Sequence, residues 1–328
     1  MSVGTVLLEV RNLHVSFRGA RGRVEAVRGV SYDIREGEVL GIVGESGSGK
    51  SAQAYSVMGL LRGTGRVTDG NVYFRGEDIL KYERYQWEAL RGNAIGMIFQ
   101  DPVACLDPMM PVYRQLREAA MCHSEISRRA ADELCMQMLN MVGVDDTKRV
   151  LRQFPSGLSG GMCQRIMIAM ALLQEPQILI ADEPTTSLDV MMQAQIILML
   201  KQLCRERNMA VMFITHDMGL VAEICDTVCV MYAGRIVEKG PVLDIFDSPA
   251  HPYTAGLMRA TPNLGVDEKG PMHSIDGVPV SMSGLPPGCA FHPRCRHCKD
   301  ICREKEPDEI EFTHGRSAAC WMVGKELR

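Results

Sequence analysis

Apolar and polar residues alternate along "LLEVRNLHVSF" (Leu7–Phe17) and again along "AVRGVSYDI" (Ala26–Ile34). That period of two predicts an antiparallel sheet over residues 5–35. Val39–Val43 is apolar without interruption, as a strand buried on both faces is. Residues 36–99 and 176–235 alternate short apolar runs with helical stretches, which predicts a parallel α/β core. Residues 102–173 read as mainly helical, with "EISRRAADELCMQMLNMVGV" (Glu125–Val144) the clearest case, and Met136, Met138 and Met141 read as its core stripe. Past Phe246, "DSPAHPYTAGLMRATPN" (Asp247–Asn263) carries three prolines and predicts a short helix between turns. Residues 264–288 are rich in Gly and Pro and predict a loop-dominated connector. No internal repeat is present.

Chemistry enters at "VLGIVGESGSGKS" (Val39–Ser51). An apolar strand runs into Gly44-Glu45-Ser46-Gly47-Ser48-Gly49-Lys50-Ser51 and then into a helical segment, the strand–loop–helix context of a phosphate-binding loop. Glycines let backbone N–H groups curl around phosphate oxygens, and the helix aims its N-terminal partial charge at them. Lys50 then reaches the terminal phosphates, and the Ser51 hydroxyl suits Mg²⁺. Farther along, "QILIADEPTTSLD" (Gln177–Asp189) is an apolar strand ending in two carboxylates. Asp182 suits Mg²⁺, and Glu183 suits a general base that polarises water. "LSGGMCQRIMIAMALLQEP" (Leu158–Pro176) opens an apolar helix with Ser159-Gly160-Gly161, a second anion-binding end with no strand before it. One nucleotide seldom needs two such ends in one chain. The economical explanation is that this one meets a phosphate bound by another subunit.

This order of motifs resembles the ATP-binding-cassette ATPases over roughly residues 5–250, and the expected fold is a P-loop α/β core with an antiparallel β subdomain and a helical subdomain over about 102–173. The resemblance implies the following roles. Ser159, Gly160 and Gly161 are the signature that caps the partner's γ-phosphate, with Met162 standing where the family usually has Gln. Gln100 in "IGMIFQDP" senses Mg²⁺ and the attacking water. Ser187-Leu188-Asp189 contacts the opposite subunit, His216 in "VMFITHDM" is the switch on the γ-phosphate, and Phe17 stacks on adenine. Residues 251–328, opening with His-Pro-Tyr-Thr, resemble the C-terminal extension of the oligopeptide and dipeptide importer ATPases, a group that also includes nickel importers. The implied partners are a second ATPase subunit in a heterodimer, two integral permease subunits and an extracytoplasmic substrate-binding protein. The implied location is peripheral, on the cytoplasmic face of the cell membrane. The rival class is a soluble cassette ATPase of DNA repair, translation or cluster assembly.

Composition sharpens three points. First, no apolar run reaches the roughly 18 residues a membrane helix needs; the densest is "IMIAMALL" (Ile166–Leu173). The N-terminus also lacks the basic start and apolar core of a secretory signal, so a cytosolic chain is expected. Second, the net charge is −4, and from Gly288 onward eight Lys/Arg are balanced by seven Asp/Glu, which argues against nucleic acid as a partner. Third, the chain has twelve cysteines. Seven, from Cys105 to Cys229, lie singly among apolar residues and read as small buried hydrophobes.

The other cysteines fall in the tail: Cys289, Cys295, Cys298 and Cys302 within "GCAFHPRCRHCKDIC", then Cys320. Disulfides fit a reducing compartment poorly. Four thiolates suit zinc, Cys295 and Cys298 having chelate spacing, and they suit an iron–sulfur cluster equally. Resemblance to the importer tail implies a 4Fe–4S cluster on Cys289, Cys295, Cys302 and Cys320, with Zn²⁺ as the alternative metal and Cys298 as an alternative ligand. ATP and Mg²⁺ complete the expected cofactors.

Overall fold

A computed structural model describes residues 4–19, 22–186, 188–261, 275–313 and 315–323. The chain forms two compact units: residues 1–81 with 213–328, and residues 82–212.

In the first unit, the alternating segments pair as expected. Val6–Gly19 and Gly22–Arg35 are antiparallel, with Val15 opposite Val27 and Phe17 opposite Val24. The strand Arg66–Phe74 pairs antiparallel on the other edge of Val6–Gly19. The inward positions Leu8, Val10, Leu13, Val15, Val27 and Ile34 are buried and form the apolar face that this period of two requires. The unit's second sheet places Val39–Val43 parallel to Thr227–Tyr232, and Thr227–Tyr232 antiparallel to Arg235–Pro241. All five residues of Val39–Val43 are buried, as their uniform hydrophobicity dictates.

The tail extends this sheet. Arg316–Ala318 pairs with Arg235–Pro241, and Ile310–Thr313 pairs with Arg316–Ala318 around a turn at Gly315, whose φ of 75° suits glycine. The sequence predicts only loops and metal ligands here. The two strands are three and four residues long, too short for a period of two to register.

The second unit pairs Ile95–Ile98 in parallel with Ile178–Asp182 and is otherwise mostly helical. Its helices include Val112–Met121, Arg128–Met141 and Gly160–Leu172. The methionine stripe is only partly core: Met138 is buried, Met136 half-buried and Met141 exposed. Met136, two residues before Met138, falls on another side of the helix, and Met141, three residues after Met138, is the last residue of the helix, where its packing ends. Likewise Cys135, Cys163, Cys204, Cys225 and Cys229 are buried as expected, but Cys105 and Cys122 are exposed, each at the end of a helix.

The first unit holds the tail through a buried carboxylate. Glu238, fully buried, accepts the N–H groups of Ala250 (2.7 Å) and His251 (2.9 Å) and faces Arg316 at 3.5 Å. The same Arg316 donates to the Ser248 carbonyl at 2.6 Å. His251 caps the helix Pro252–Ala260, its Nδ1 accepting the Tyr253 N–H at 3.0 Å, and burial holds its imidazole down at about 3. Tyr253 packs against Tyr232 and Phe291, with ring centroids 4.6 and 5.4 Å away.

The native His251 ring therefore stays neutral down to about pH 3, whereas an unfolded chain takes up that proton near the ordinary value of about 6.5. Between these values the unfolded state binds more protons, so this contribution to stability is full above about pH 6.5 and is lost as the pH falls toward 3. The melting temperature should drop between about pH 7 and pH 5. His251→Asn, which keeps a side-chain acceptor for the Tyr253 N–H, should flatten that drop; parallel melting curves for the two proteins would exclude His251 as its source.

Candidate nucleotide-binding site

The loop after Val39–Val43 is shaped by main chain meeting main chain. A Cβ on Gly44 would lie 2.2 Å from the Met231 carbonyl oxygen, and one on Gly49 would lie 2.3 Å from that of Ala26. Gly49 also has φ of 103° where it caps the helix Lys50–Val57. Gly47, with φ of 79°, faces open space, so its demand is conformational alone. The Ser48 N–H donates to the Glu45 carbonyl (3.2 Å), and the Ser48 carbonyl accepts from Gly234 (2.9 Å). Lys50 is buried, its Nζ donating to the carbonyls of Gly44 (2.7 Å) and Glu45 (3.0 Å). A cation held over a glycine loop at a helix N-terminus is a fitting receptor for a polyphosphate.

Phe17 lies half-buried in the antiparallel sheet of the same unit, its ring against Gly65. His216 is exposed directly after the buried strand Ala210–Thr215, where the chain turns toward Asp217, the cap of the helix Met218–Ile224.

The second unit carries the other expected residues. Asp182 ends the strand Ile178–Asp182 and is fully buried. Glu183 follows with φ of 48°, a left-handed conformation that costs a non-glycine residue about 1–3 kcal/mol. Its Oε2 accepts from Gln100 Nε2 (3.2 Å) and Thr186 Oγ1 (3.0 Å). Gln100 and Glu183, 83 residues apart in sequence, are thus in contact. Thr186 is a partner the sequence reading missed, although it lies within the quoted "DEPTTSLD". Ser159 caps the helix Gly160–Leu172, its Oγ accepting the Met162 N–H at 3.3 Å, and both Ser159 and Gly160 are exposed. Asp189 is also exposed and caps Val190–Arg207, accepting from Met192 at 3.0 Å. Ser187 lies outside the described residues.

In the tail, Cys289, Cys295, Cys302 and Cys320 line one small apolar cavity, together with Pro307 and Trp321. Cys298 is absent from that lining, and its thiol donates to the Lys299 carbonyl at 3.5 Å. The Cys289 N–H donates to the Cys302 carbonyl at 2.8 Å, which closes the loop between them. Burial pushes the Cys289 thiol up to about 12 and the Cys295 thiol up to about 11, and it raises Cys320; neighbouring thiols add to each shift. All five cysteines are free thiols. Among the described residues, no group of three or more His, Cys, Asp or Glu side chains stands in metal-holding geometry.

With this geometry in place, comparison with known proteins identifies the class. Residues 27–186 match the family described as "ABC transporter", and residues 237–302 match "Oligopeptide/dipeptide transporter, C-terminal region". The chain is 48% identical over 322 residues to the oligopeptide transport ATP-binding protein OppD of Salmonella typhimurium, covering 98% of this chain and 95% of that protein. It is 45% identical over 317 residues to the dipeptide transport ATP-binding protein DppD of Bacillus subtilis, covering 96% and 94%. Among solved structures, it is similar to the dimeric ATP-binding cassette MJ0796 in a post-hydrolysis state bound to ADP and Pi, with TM-score 0.67, 25% identity and coverage of 72% of this chain and 99% of that one. It also resembles cbiO1 of Clostridium perfringens, with TM-score 0.62, 29% identity and coverage of 74% and 91%. The chain belongs to the ABC transporter ATPases and carries the C-terminal region of their oligopeptide/dipeptide group. It has the P-loop fold of that family, and its reaction is ATP hydrolysis.

Gly49→Ala should abolish the loop's fit, weakening ATP binding by about tenfold or more and costing about 1–3 kcal/mol of stability. Gly47→Ala, which meets only the backbone cost, should do less on both counts. ATP titration and thermal melting would decide, and equal effects at the two positions would contradict the close approach as the cause.

Proposed function

We propose that this chain powers a membrane importer of short peptides. The observation that carries this reading is the similarity to peptide-transport ATP-binding proteins over 96–98% of the chain, tail included. No helix among the described residues is long and apolar enough to cross a membrane. The reading places the chain peripherally at the cytoplasmic face, with two integral permeases, a second ATPase subunit and an extracytoplasmic binding protein. Residues 5–250 serve as the cassette, and 251–328 as the extension.

Lys50 and the loop Gly44–Ser51 take the phosphates, and Phe17 takes the base. Ser51 of the first unit, and Asp182 and Gln100 of the second, are the residues that would serve Mg²⁺, which would supply charge neutralisation on the phosphates. Glu183 accepts a proton from the attacking water, oriented by Gln100 and Thr186, while His216 contacts the γ-phosphate. Ser159, Gly160, Gly161 and Asp189 serve the partner's nucleotide, a role that suits the exposure of Ser159, Gly160 and Asp189. Catalysis is mostly positioning and charge stabilisation.

For the tail we infer a 4Fe–4S cluster on Cys289, Cys295, Cys302 and Cys320, with Zn²⁺ the alternative. Support comes from the donor type, from the one cavity these four line, and from the burial of Cys289, Cys295 and Cys320, where a metal cation would offset the cost of a thiolate. Its role is structural, fixing the fold of the tail.

In proteoliposomes holding the whole transporter, ATP turnover should rise when a peptide-loaded binding protein is added. Turnover indifferent to peptide and permeases would sink the importer reading. Glu183→Gln should bind ATP normally yet lose turnover by about 10²–10⁴-fold, and retained turnover would remove the proton-accepting role.

Anaerobic purification should yield a brown chain with about four irons. Cys302→Ser should lose them and Cys298→Ser keep them. Zinc in place of iron, or loss in Cys298→Ser, would overturn the assignment.

A further inference from the structure

The second residue of the phosphate loop, Glu45, is held by residues more than 200 positions downstream. Its backbone N–H donates to Tyr253 Oη at 2.8 Å. Its carboxylate takes two charge-assisted bonds from Arg294: Nη1 to Oε2 at 2.6 Å and Nη2 to Oε1 at 3.0 Å. The Arg294 side chain is only 3% exposed; its Nε donates to the Asp276 carbonyl at 2.9 Å and its Nη2 also to the Ile275 carbonyl at 3.5 Å. Its guanidinium lies 5.9 Å from the ring centroids of both Tyr232 and Phe291. On the other side, the Glu45 carbonyl accepts from Lys50 Nζ at 3.0 Å and from Ser48 at 3.2 Å. An unbroken chain of contacts thus runs from the tail, through Glu45, to the lysine of the loop.

We propose that Arg294 and Tyr253 are positioning residues for ATP, and that the tail is an intramolecular brace for the phosphate loop. The physical case has two parts. A loop with three glycines in seven residues, Gly44 to Lys50, has much conformational freedom to lose when it closes on phosphate, and fixing Glu45 at backbone and side chain removes part of that loss beforehand. A carboxylate beside a polyphosphate also repels it, and the bidentate guanidinium neutralises that charge where a surface lysine would be screened. The geometry of the brace is set within the tail: Arg294 ends a short turn in which the Arg294 N–H donates to Phe291 (3.0 Å) and His292 to Cys289 (2.9 Å).

The inference rests on reading Gly44–Ser51 as the ATP loop, and the measurements separate the two. On the full chain, ATP affinity and the KM and kcat of turnover would be compared for wild type, Arg294→Gln, Tyr253→Phe, Glu45→Gln and Glu45→Gln/Arg294→Gln. Arg294→Gln should raise the Kd and KM for ATP by about tenfold, with kcat at saturating ATP within about threefold. Tyr253→Phe keeps the packed ring and removes only the acceptor, so it should fold and weaken ATP by a few-fold; it keeps the test open should Arg294→Gln not fold. The double variant should be no weaker than Arg294→Gln alone. Unchanged affinity in Tyr253→Phe and in folded Arg294→Gln, or strictly additive losses in the double variant, would overturn the brace. Failure of the wild type to bind ATP would remove the loop assignment and the brace with it.

Discussion

The nucleotide loop depends on backbone packing directly against backbone. Gly44 is pressed onto the Met231 carbonyl and Gly49 onto that of Ala26, at separations no side chain permits. Met231 belongs to the strand Thr227–Tyr232 and Ala26 to Gly22–Arg35, so the loop sits where the two sheets of its unit meet. The Arg28 N–H donates to the Gly234 carbonyl at 2.7 Å, and the Gly234 N–H donates to Ser48 at 2.9 Å, carrying this meeting into the loop itself. The long alternating hairpin at the N-terminus is therefore one wall of the phosphate cradle.

The tail is fastened to the same unit by ion pairs at different depths. Glu238 faces Arg316 in the interior, half-buried Glu45 faces buried Arg294, and Arg28 pairs with Glu306 at 2.9 Å nearer the surface. A buried pair such as Glu238–Arg316 adds little net stability over well-packed apolar groups, because each ion loses its hydration. What such a pair imposes is register: an arginine displaced by one residue would leave a carboxylate buried without its cation, at a cost of several kcal/mol. In Glu238 the loss of hydration outweighs its hydrogen bonds and raises its carboxyl. A tail docked by apolar contact alone would tolerate sliding, and this one does not.

Much of this was legible in the sequence, for reasons that also mark where legibility ends. The hairpin, the buried strand before the loop and the helix from Pro252 all follow from local periodicity or punctuation. Gln100 and Glu183 were chosen by motif, and their contact at 3.2 Å spans 83 residues. Arg294 belongs to the cysteine motif in the sequence, but its ion pair is not legible there, because its partner lies 249 residues upstream in a motif already complete without it. The contact of Tyr253, although its His-Pro-Tyr-Thr stretch stands out, and that of Glu238, a lone carboxylate, are likewise hidden, because only folding supplies the partner. The cysteines show the converse. Their spacing leaves Cys298 eligible, whereas the cavity admits the other four and leaves it out.

The two anion-binding helix ends differ in how the chain treats them. At Lys50 the end is buried, glycine-capped and tied down by Glu45. At Ser159 the end is exposed; Asp189, which caps another helix, is exposed as well, with Val190 and Met191 at 80% and 73% accessible directly after it. Two large apolar side chains at the start of a helix gain nothing from water, and a helix N-terminus left to solvent has its field screened over about 8–10 Å by salt. Both features become useful once another protein surface covers them and excludes water. That contrast is what the proposed roles require: one phosphate end prepared within the chain, and the other left at the surface for a partner's nucleotide.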